Sequence, residues 1–580
     1  MTLLALLLLA LASWTLGRLV RRLLPAGPDL WTLPLELAAG LGLVALLLGV
    51  LALLGALHLG PLALALFATP SVKPLLQVRF ALRRSWPGLT LAAALALATA
   101  TALAPLTDPD SLAYTLPIAG KLATEGRWAF WPDQWRGVFP LSHELLVSVV
   151  LRMSGSRPAL LSVAEIALAG ALLVGLARRL SPQAATAPLA LILAFGNAAV
   201  LNLCASTKED ALLVVMTLGA AHALLLGGAG GATVAGLFAG LAASAKYPGL
   251  PVVAGTLLAT AFAPGQRLAR AGRVALAAAV AGSLFYAVNL WRFGNPIPPY
   301  LSPPLPTFLS PLSLERALDG FHWGVERTPV NALLAPLLVF VTPAPFGGAW
   351  NWFHPLLVAT LPFLFGRERR SRFGPLFVLA ATCYFAWFLS NQVARLLLPA
   401  ATLLAIPAAE VLGDVWRRSR ASRAALALAL AASSALAVAI PAVRVTRYAL
   451  DPSGFLARES QLADDFAWMN AHLRPTDRVG AFFKTLWYLD VPHLHLSPDY
   501  QVEISAEEIE GDPERFLSAL RRQRVTHLFL PLGSRPALES RLRRIHRNPA
   551  SRLGGTRFLR EPFTIPTAVY EIPDASAQRL

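Results

Sequence analysis

Apolar residues in this chain come in long blocks rather than in alternation. Runs of about 16 to 24 residues recur as far as residue 445, each long enough to cross a hydrocarbon core of ~30 Å. The first covers 2–17 and is followed by Arg18, Arg21 and Arg22. It lacks a basic region ahead of it, so it reads as a first transmembrane helix rather than a cleaved signal peptide. The stretch 33–68 is interrupted at His58, Gly60 and Pro61, which predicts two short helices or one helix with a partial second. Further helices are expected over 87–106, 158–177, 184–204, 211–227, 230–245, 249–264, 274–291, 351–366, 373–390, 394–413 and 424–443. The run 331–341 is too short to cross and ends at Thr342-Pro343, so it is expected to be re-entrant or interfacial. The predicted fold class is an all-α polytopic membrane protein of about 12–14 transmembrane helices.

From Asp451 the pattern changes to that of a soluble domain. Residues 460–473 and 512–524 are amphipathic helices, and 478–483, 525–532 and 567–572 are short strands. The chain therefore divides into N-terminal transmembrane helices (1–86), a transmembrane core (87–450) carrying an outer loop at 107–157, and a small α/β domain (451–580).

Composition agrees with a membrane protein. Hydrophobic residues are 56% and charged residues 14%, with mean hydropathy +0.56, whereas a soluble chain carries roughly 25% charge. The net charge of +17 does not indicate nucleic acid. Most of the cations cluster between apolar blocks, where the positive-inside rule puts them in the cytoplasm. The clusters are Lys73 with Arg79, Arg83 and Arg84; Arg178 and Arg179; Arg267, Arg270 and Arg273; Arg367 to Arg372; and Arg417 to Arg423. That assignment puts Asp108, Lys208, Lys246, Tyr300, Arg395 and the C-terminal domain together on the outer side. Cys204 and Cys383 form neither a disulfide framework nor a metal cluster and are expected in the core.

Chemistry concentrates in the outer loops. In Asp108-Pro109-Asp110, two carboxylates two residues apart suit a divalent cation, or one can act as general base. The structural alternative has Asp108 capping a helix that begins near Ser111, with Asp110 solvated. Lysine is scarce, 5 residues against 45 Arg, so its placement is informative. Lys208 and Lys246 stand at outer helix ends, where a compact cation suits a phosphate oxygen; snorkelling is the alternative, and Glu209 and Asp210 can neutralise Lys208. Arg395 breaks the charge rule at an outer helix start. It is placed to grip a phosphate or a lipid headgroup. His143, beside Glu144, is a binding candidate against the commoner structural role of a lone histidine. Trp128, Trp131 and Trp135 read as an interfacial aromatic belt, with sugar stacking the lesser reading.

Several of these segments resemble those of bacterial GT-C superfamily glycosyltransferases, the group of protein O-mannosyltransferases and aminoarabinose transferases. Asp110-Ser111-Leu112-Ala113-Tyr114-Thr115-Leu116-Pro117, followed by Gly126-Arg127 and Phe139-Pro140, is similar to that family's first outer loop. Lys208-Glu209-Asp210, Gly240 to Tyr247, Gly294-Asn295-Pro296 and Arg395 to Pro399 resemble its later elements, in the same order. The similarity covers 87–445. Thr115 stands where the family often has His, and Leu396 where it often has an aromatic residue. The resemblance implies an inverting glycosyltransferase at the outer face of the cytoplasmic membrane. It would transfer a sugar from a polyprenyl-phosphate donor to a lipid, glycan or protein acceptor. Asp110 or Asp108 would be the base. Tyr114, Lys208, Asp210, Lys246, Tyr247, Arg395 and His143 would bind substrate, and Asp108 and Asp110 would hold any divalent cation. Membrane lipid is an expected partner and nucleic acid is not. The rival classes are a transporter or flippase of a lipid-linked or anionic substrate, and a non-catalytic polysaccharide-assembly protein.

Overall fold

The computed structural model describes residues 1–24, 32–77, 86–262, 266–320, 322–348, 353–553 and 563–573. Arg79, Arg83 and Arg84 of the expected cytoplasmic segment lie outside the described residues. Among those described, eight helices are long and apolar enough to cross a membrane: Thr2–Arg21, Leu33–Leu53, Ala159–Leu180, Gly228–Ala245, Arg267–Phe293, Arg367–Leu389, Ala394–Arg418 and Arg420–Leu450. Thr186–Phe195 and Ala198–Cys204, bent by 70° at their junction, form a ninth crossing if taken as one span. Shorter apolar helices, Ala94–Leu103, Asp210–Leu226, Tyr247–Ala261 and Pro329–Val341, lie among them. This is a multi-pass membrane protein. The break at His58 separates Leu33–Leu53 from Gly60–Gln77, as the pattern implied.

Small residues let these helices approach closely. Gly236, Gly240 and Ser244 form a small-residue stripe on Gly228–Ala245. A Cβ on Gly240 would lie 2.4 Å from the Ala278 carbonyl oxygen of the neighbouring Arg267–Phe293 helix. Ser244 Oγ donates to the Ala281 carbonyl at 2.9 Å. The bend at Asn197 is also locally satisfied. Its Oδ1 accepts from Val200 N at 3.1 Å and its Nδ2 donates to Ala194 O at 2.7 Å, so one side chain caps both halves of the broken helix.

Two expectations are corrected here. Segment 351–366 is not a crossing helix. Its described part holds Pro355–Thr360 and a 3₁₀ turn at Leu361–Phe363: Pro355 opens the helix and Pro362, which has no N–H to donate, breaks its ladder six residues on. The arginines after it are nonetheless grouped by contact. Arg372 pairs with Glu410 at 2.8 Å, Arg369 pairs with Asp414, and Arg417 and Gln183 reach the same Asp414 at 2.7 and 3.1 Å. These arginines gather at the end of the bundle opposite the Asp108 loop. The aromatic belt is the second correction. Trp128, Trp131 and Trp135 are all buried, and their indole N–H groups donate to Gly137 O, Glu125 Oε1 and Pro498 O. A buried indole needs a partner for its N–H, and the chain supplies three.

The 107–157 segment is a folded layer rather than an open loop. Helical residues 109–125 include a π-helical turn at Ser111–Thr115, and Ser142–Ser154 forms a second helix. The C-terminal region rests on this layer. Its five-stranded sheet comprises β1 (Val479–Ala481), β2 (His493–His495), β3 (His527–Pro531), β4 (Arg543–Arg552) and β5 (Thr564–Glu571), in the order β2-β1-β3-β5-β4. β1, β3 and β5 were expected; β2 and β4 were not. β4 is a charged edge strand containing Pro549, a composition that edges tolerate but that carries no apolar alternation. Trp135 N and Arg136 Nε donate to Tyr500 O and Asp499 O, both at 2.8 Å, and Tyr488 Oη donates to Leu106 O at 2.7 Å.

Trp135 is therefore the peg that joins the two regions. Trp135→Ala should cost roughly 3–5 kcal/mol, and Trp135→Phe, which loses the donor and the packing of the pyrrole ring, roughly 1–3 kcal/mol. Limited proteolysis in detergent should release the C-terminal region sooner in Trp135→Ala than in the wild type. Equal protection in the two would remove the pegging role.

Candidate active site

Four chain segments bring charge to one place at the end of the bundle that carries the Asp108 loop. The connection after helix Trp86–Leu103 brings Asp108, and the first turn of the following helix brings Asp110. The start of the Asp210–Leu226 helix brings Lys208, Glu209 and Asp210. The end of Gly228–Ala245 brings Lys246, and the 3₁₀ turn Ala394–Leu397 brings Arg395. Lys208 Nζ lies 2.6 Å from Asp108 Oδ1 and 3.5 Å from Asp110 Oδ2. Arg395 spans Asp110 Oδ2 at 2.8 Å and Asp210 Oδ2 at 3.2 Å. Lys246 spans Asp210 Oδ1 at 3.2 Å and Glu209 Oε1 at 2.7 Å. The result is one alternating chain of four carboxylates and three cations, mostly withdrawn from solvent.

The two Asp residues have different jobs in this arrangement. Asp108 is tied up: its Oδ2 accepts from Ser111 N at 2.9 Å and Ser111 Oγ at 2.8 Å, which caps the following helix. Its side chain is 9% exposed, against 31% for Asp110. Asp110 is thus the carboxylate presented to open space. Burial would raise its pKa, but Arg395, Lys208, Arg136 and Lys246 together hold it well below the ordinary carboxylate range. The position between the two carboxylates, where a divalent cation would sit, is taken by the Lys208 ammonium. Among the described residues no group of three His, Cys, Asp or Glu side chains is disposed to hold a metal.

The open space is a cavity of about 1070 Å³. Asp108, Asp110, Tyr114, Lys208, Lys246, Tyr247 and Arg395 all line it. Asp210 lies behind the wall, 2% exposed, and orients Lys246 and Arg395 from there. His143 does not reach the cavity: it is fully buried, with Nδ1 3.1 Å from Glu165 Oε1, so its expected substrate contact is replaced by an internal pair. Tyr247 packs on Phe139 and Tyr300 with ring centroids 5.2 and 5.7 Å apart, forming an aromatic wall. Arg136 lies between the rings of Tyr114 and Tyr500, at 5.0 and 4.4 Å, a double cation–π contact.

Sequence reasoning did not assign Arg136, Glu144, Arg444, Lys484, Asp499 or Tyr500 to the site, yet all six line the cavity. Lysine scarcity was a usable signal for Lys484. The others carried none, because Asp499 and Tyr500 reach the cavity only through docking of the C-terminal region. Glu144 sits in the first turn of Ser142–Ser154, a helix that is not one of the spans. Burial first, and Glu209 next, push its pKa from 4.5 up to about 8. His143 beside it is pushed up to about 9, because Glu165 outweighs the effect of burial.

Both shifts make stability depend on pH with the same sign. The folded chain keeps the Glu144 proton to about pH 8, whereas the unfolded chain releases it near 4.5. Stability from this group is full below pH 4.5 and is lost as pH rises through 8. Melting temperature should therefore fall between pH 5 and pH 9, and Glu144→Gln should flatten part of that fall. An unchanged slope in Glu144→Gln would remove Glu144 as a source.

No protein-family profile and no curated protein matches the chain. Solved structures do. ArnT from Cupriavidus metallidurans in the apo state aligns with TM-score 0.55 and 14% identity, covering 83% of this chain and 97% of that one. ArnT bound to undecaprenyl phosphate aligns with TM-score 0.51 and 14% identity, covering 83% and 98%. ArnT is an aminoarabinose transferase of the GT-C type. At this identity the likeness is one of fold, and the chain has a GT-C-like fold.

Proposed function

We propose that this protein is a membrane glycosyltransferase that moves a sugar, with inversion, from a polyprenyl-phosphate carrier to an acceptor hydroxyl at the outer face of the cytoplasmic membrane. The observation that carries the reading is Asp110: an ionised carboxylate facing a large cavity at a bundle end, gripped from behind by Lys208 and Arg395. The GT-C-like fold, and the undecaprenyl phosphate bound by ArnT, support the choice of donor. The arginine-rich opposite end supports the assignment of sides.

Inverting transfer needs an acceptor oxygen aimed at the anomeric carbon and charge stabilisation for the departing phosphate. Asp110 accepts a hydrogen bond from the acceptor hydroxyl and orients its lone pair. Held strongly acidic by four cations, it is a weak base at rest. It gains basicity when Arg395 and Lys208 turn toward the phosphate on which charge develops. The same cations thereby stabilise the leaving group and release the carboxylate. Asp108 fixes Lys208 and the helix that carries Asp110. The reading needs no divalent cation, because Lys208 supplies the positive charge between the two carboxylates.

The bent span Thr186–Cys204 favours a second reading, because broken helices are common in transporters. Its polar groups, however, are closed on themselves by Asn197, and the charged chain lies at a bundle end.

Asp110→Asn should lower transfer in membrane vesicles roughly 100-fold or more. Asp108→Asn should lower melting temperature more than Asp110→Asn does, because it frees Lys208 and removes a cap. Arg395→Lys, which cannot span both Asp110 and Asp210, should reduce transfer roughly 10-fold. Full activity in both Asp variants, with substrate movement in liposomes intact, would favour a transporter.

A further inference from the structure

The three cations of the charged chain are already matched. Asp108, Asp110, Asp210 and Glu209 outnumber Lys208, Lys246 and Arg395. A phosphate ester approaching that end at rest meets balanced or negative charge. The positive charge left over in the cavity lies elsewhere.

Arg136 and Arg327 line the cavity as well, and two further cations stand on the wall made by the C-terminal end of Arg420–Leu450 and by the C-terminal region. That helix has 31 residues, about 46 Å at 1.5 Å per residue, so its last turns stand beyond a ~30 Å core. Arg444, in those turns, lines the cavity. Its Nη1 donates to Thr107 Oγ1 at 2.6 Å and its Nη2 to Pro105 O, both neutral acceptors. Its Nε is buried without a partner, and no carboxylate pairs with it among the described residues. Asp108 and Glu459 are the carboxylates nearest in its field. Lys208 at 2.6 Å and Arg447 at 2.8 Å already neutralise them. A withdrawn guanidinium with only neutral partners is costly unless an anion joins it.

Lys484, on the β1–β2 connection, lines the same cavity and is exposed to it. It makes no ion pair or hydrogen bond among the described residues. Asp499, on the same wall, is also unpaired among them and offsets at most one of the two charges. Gln461, tied to Thr485 at 3.2 Å, lines the gap beside Lys484.

We propose that Arg444 and Lys484 form a second anion site, separate from the Asp110 network, that holds the phosphate ester of a bound ligand. A guanidinium whose two Nη groups each keep a second N–H beyond their neutral acceptors, and an exposed ammonium, together suit a tetrahedral, multiply charged oxyanion. The phosphate belongs either to the lipid carrier or to the other substrate. The inference rests on the proposed reaction only for the choice of probes.

The test is direct binding to the full chain in nanodiscs, with undecaprenyl phosphate, its dephosphorylated polyprenol, and inorganic phosphate as probes. Arg444→Gln/Lys484→Gln should weaken a phosphate-bearing probe roughly tenfold or more and leave polyprenol binding unchanged. Lys484→Gln alone, at an exposed position that folding does not depend on, should give a smaller loss of the same kind. Loss confined to undecaprenyl phosphate assigns the carrier's phosphate. Loss for inorganic phosphate alone assigns a phosphate on the other substrate. Equal affinities for both phosphate probes in wild type and variants, or an equal loss for polyprenol, would overturn the site. Binding is read without turnover, so failure here is distinct from an Asp110→Asn enzyme that keeps its transfer activity.

Discussion

Buried charge must be matched, and in this protein that constraint organises the end of the bundle that carries the Asp108 loop. Four carboxylates and three cations alternate from Asp108 to Glu209, each cation bridging two acids. Removing one member of such a chain leaves its neighbours buried and unpaired, which is far more damaging than the pair's net contribution suggests. The chain crosses four segments that are remote in sequence, so it locks the ends of several helices to one another. It also sets the resting state of the site: Asp110 stays ionised because its neighbours are cations, and those cations stay in place because Asp110 is ionised.

The second organising feature is the C-terminal region seated on the 107–157 layer. Trp135, Arg136 and Tyr488 fasten it with hydrogen bonds to backbone oxygens. Trp135 and Arg136 hold the β2–Ser505 connection by its backbone carbonyls, and Arg136 also lies over its Tyr500 ring at 4.4 Å. That connection contributes Asp499 and Tyr500 to the cavity. The cavity is thus a joint product of membrane helices and a soluble sheet. Its two ends differ in charge: carboxylates exceed cations by one in the Asp110 network, whereas Arg444 and Lys484 pair with no carboxylate among the described residues.

Much of the fold was readable in the sequence because the bilayer demands it. Apolar blocks of membrane length, punctuated by arginine, leave little freedom in element type, and the blocks at 158–177, 230–245 and 394–413 match helices closely. Individual site residues were readable where they broke a local rule: a lysine in an arginine-rich chain, or an arginine at a helix start expected to face outward. What failed was whatever depended on partners. The expected span at 351–366 gave way to proline, and His143, placed by its loop among binding residues, turned inward to Glu165.

By itself, then, the sequence determined helix placement, the change to a soluble C-terminal region, and the residues able to carry chemistry, because length, hydropathy and side-chain type are local properties. Only the tertiary structure decided which residue does what. It tied Asp108 to Ser111 and left Asp110 open, withdrew Asp210 behind the wall, buried the three tryptophans, and brought Lys484 and Tyr500 across more than 350 residues to the Asp110 cavity. Those outcomes depend on distances between segments that are far apart in the chain. Burial, pairing and exposure follow from such distances, and no local pattern contains them.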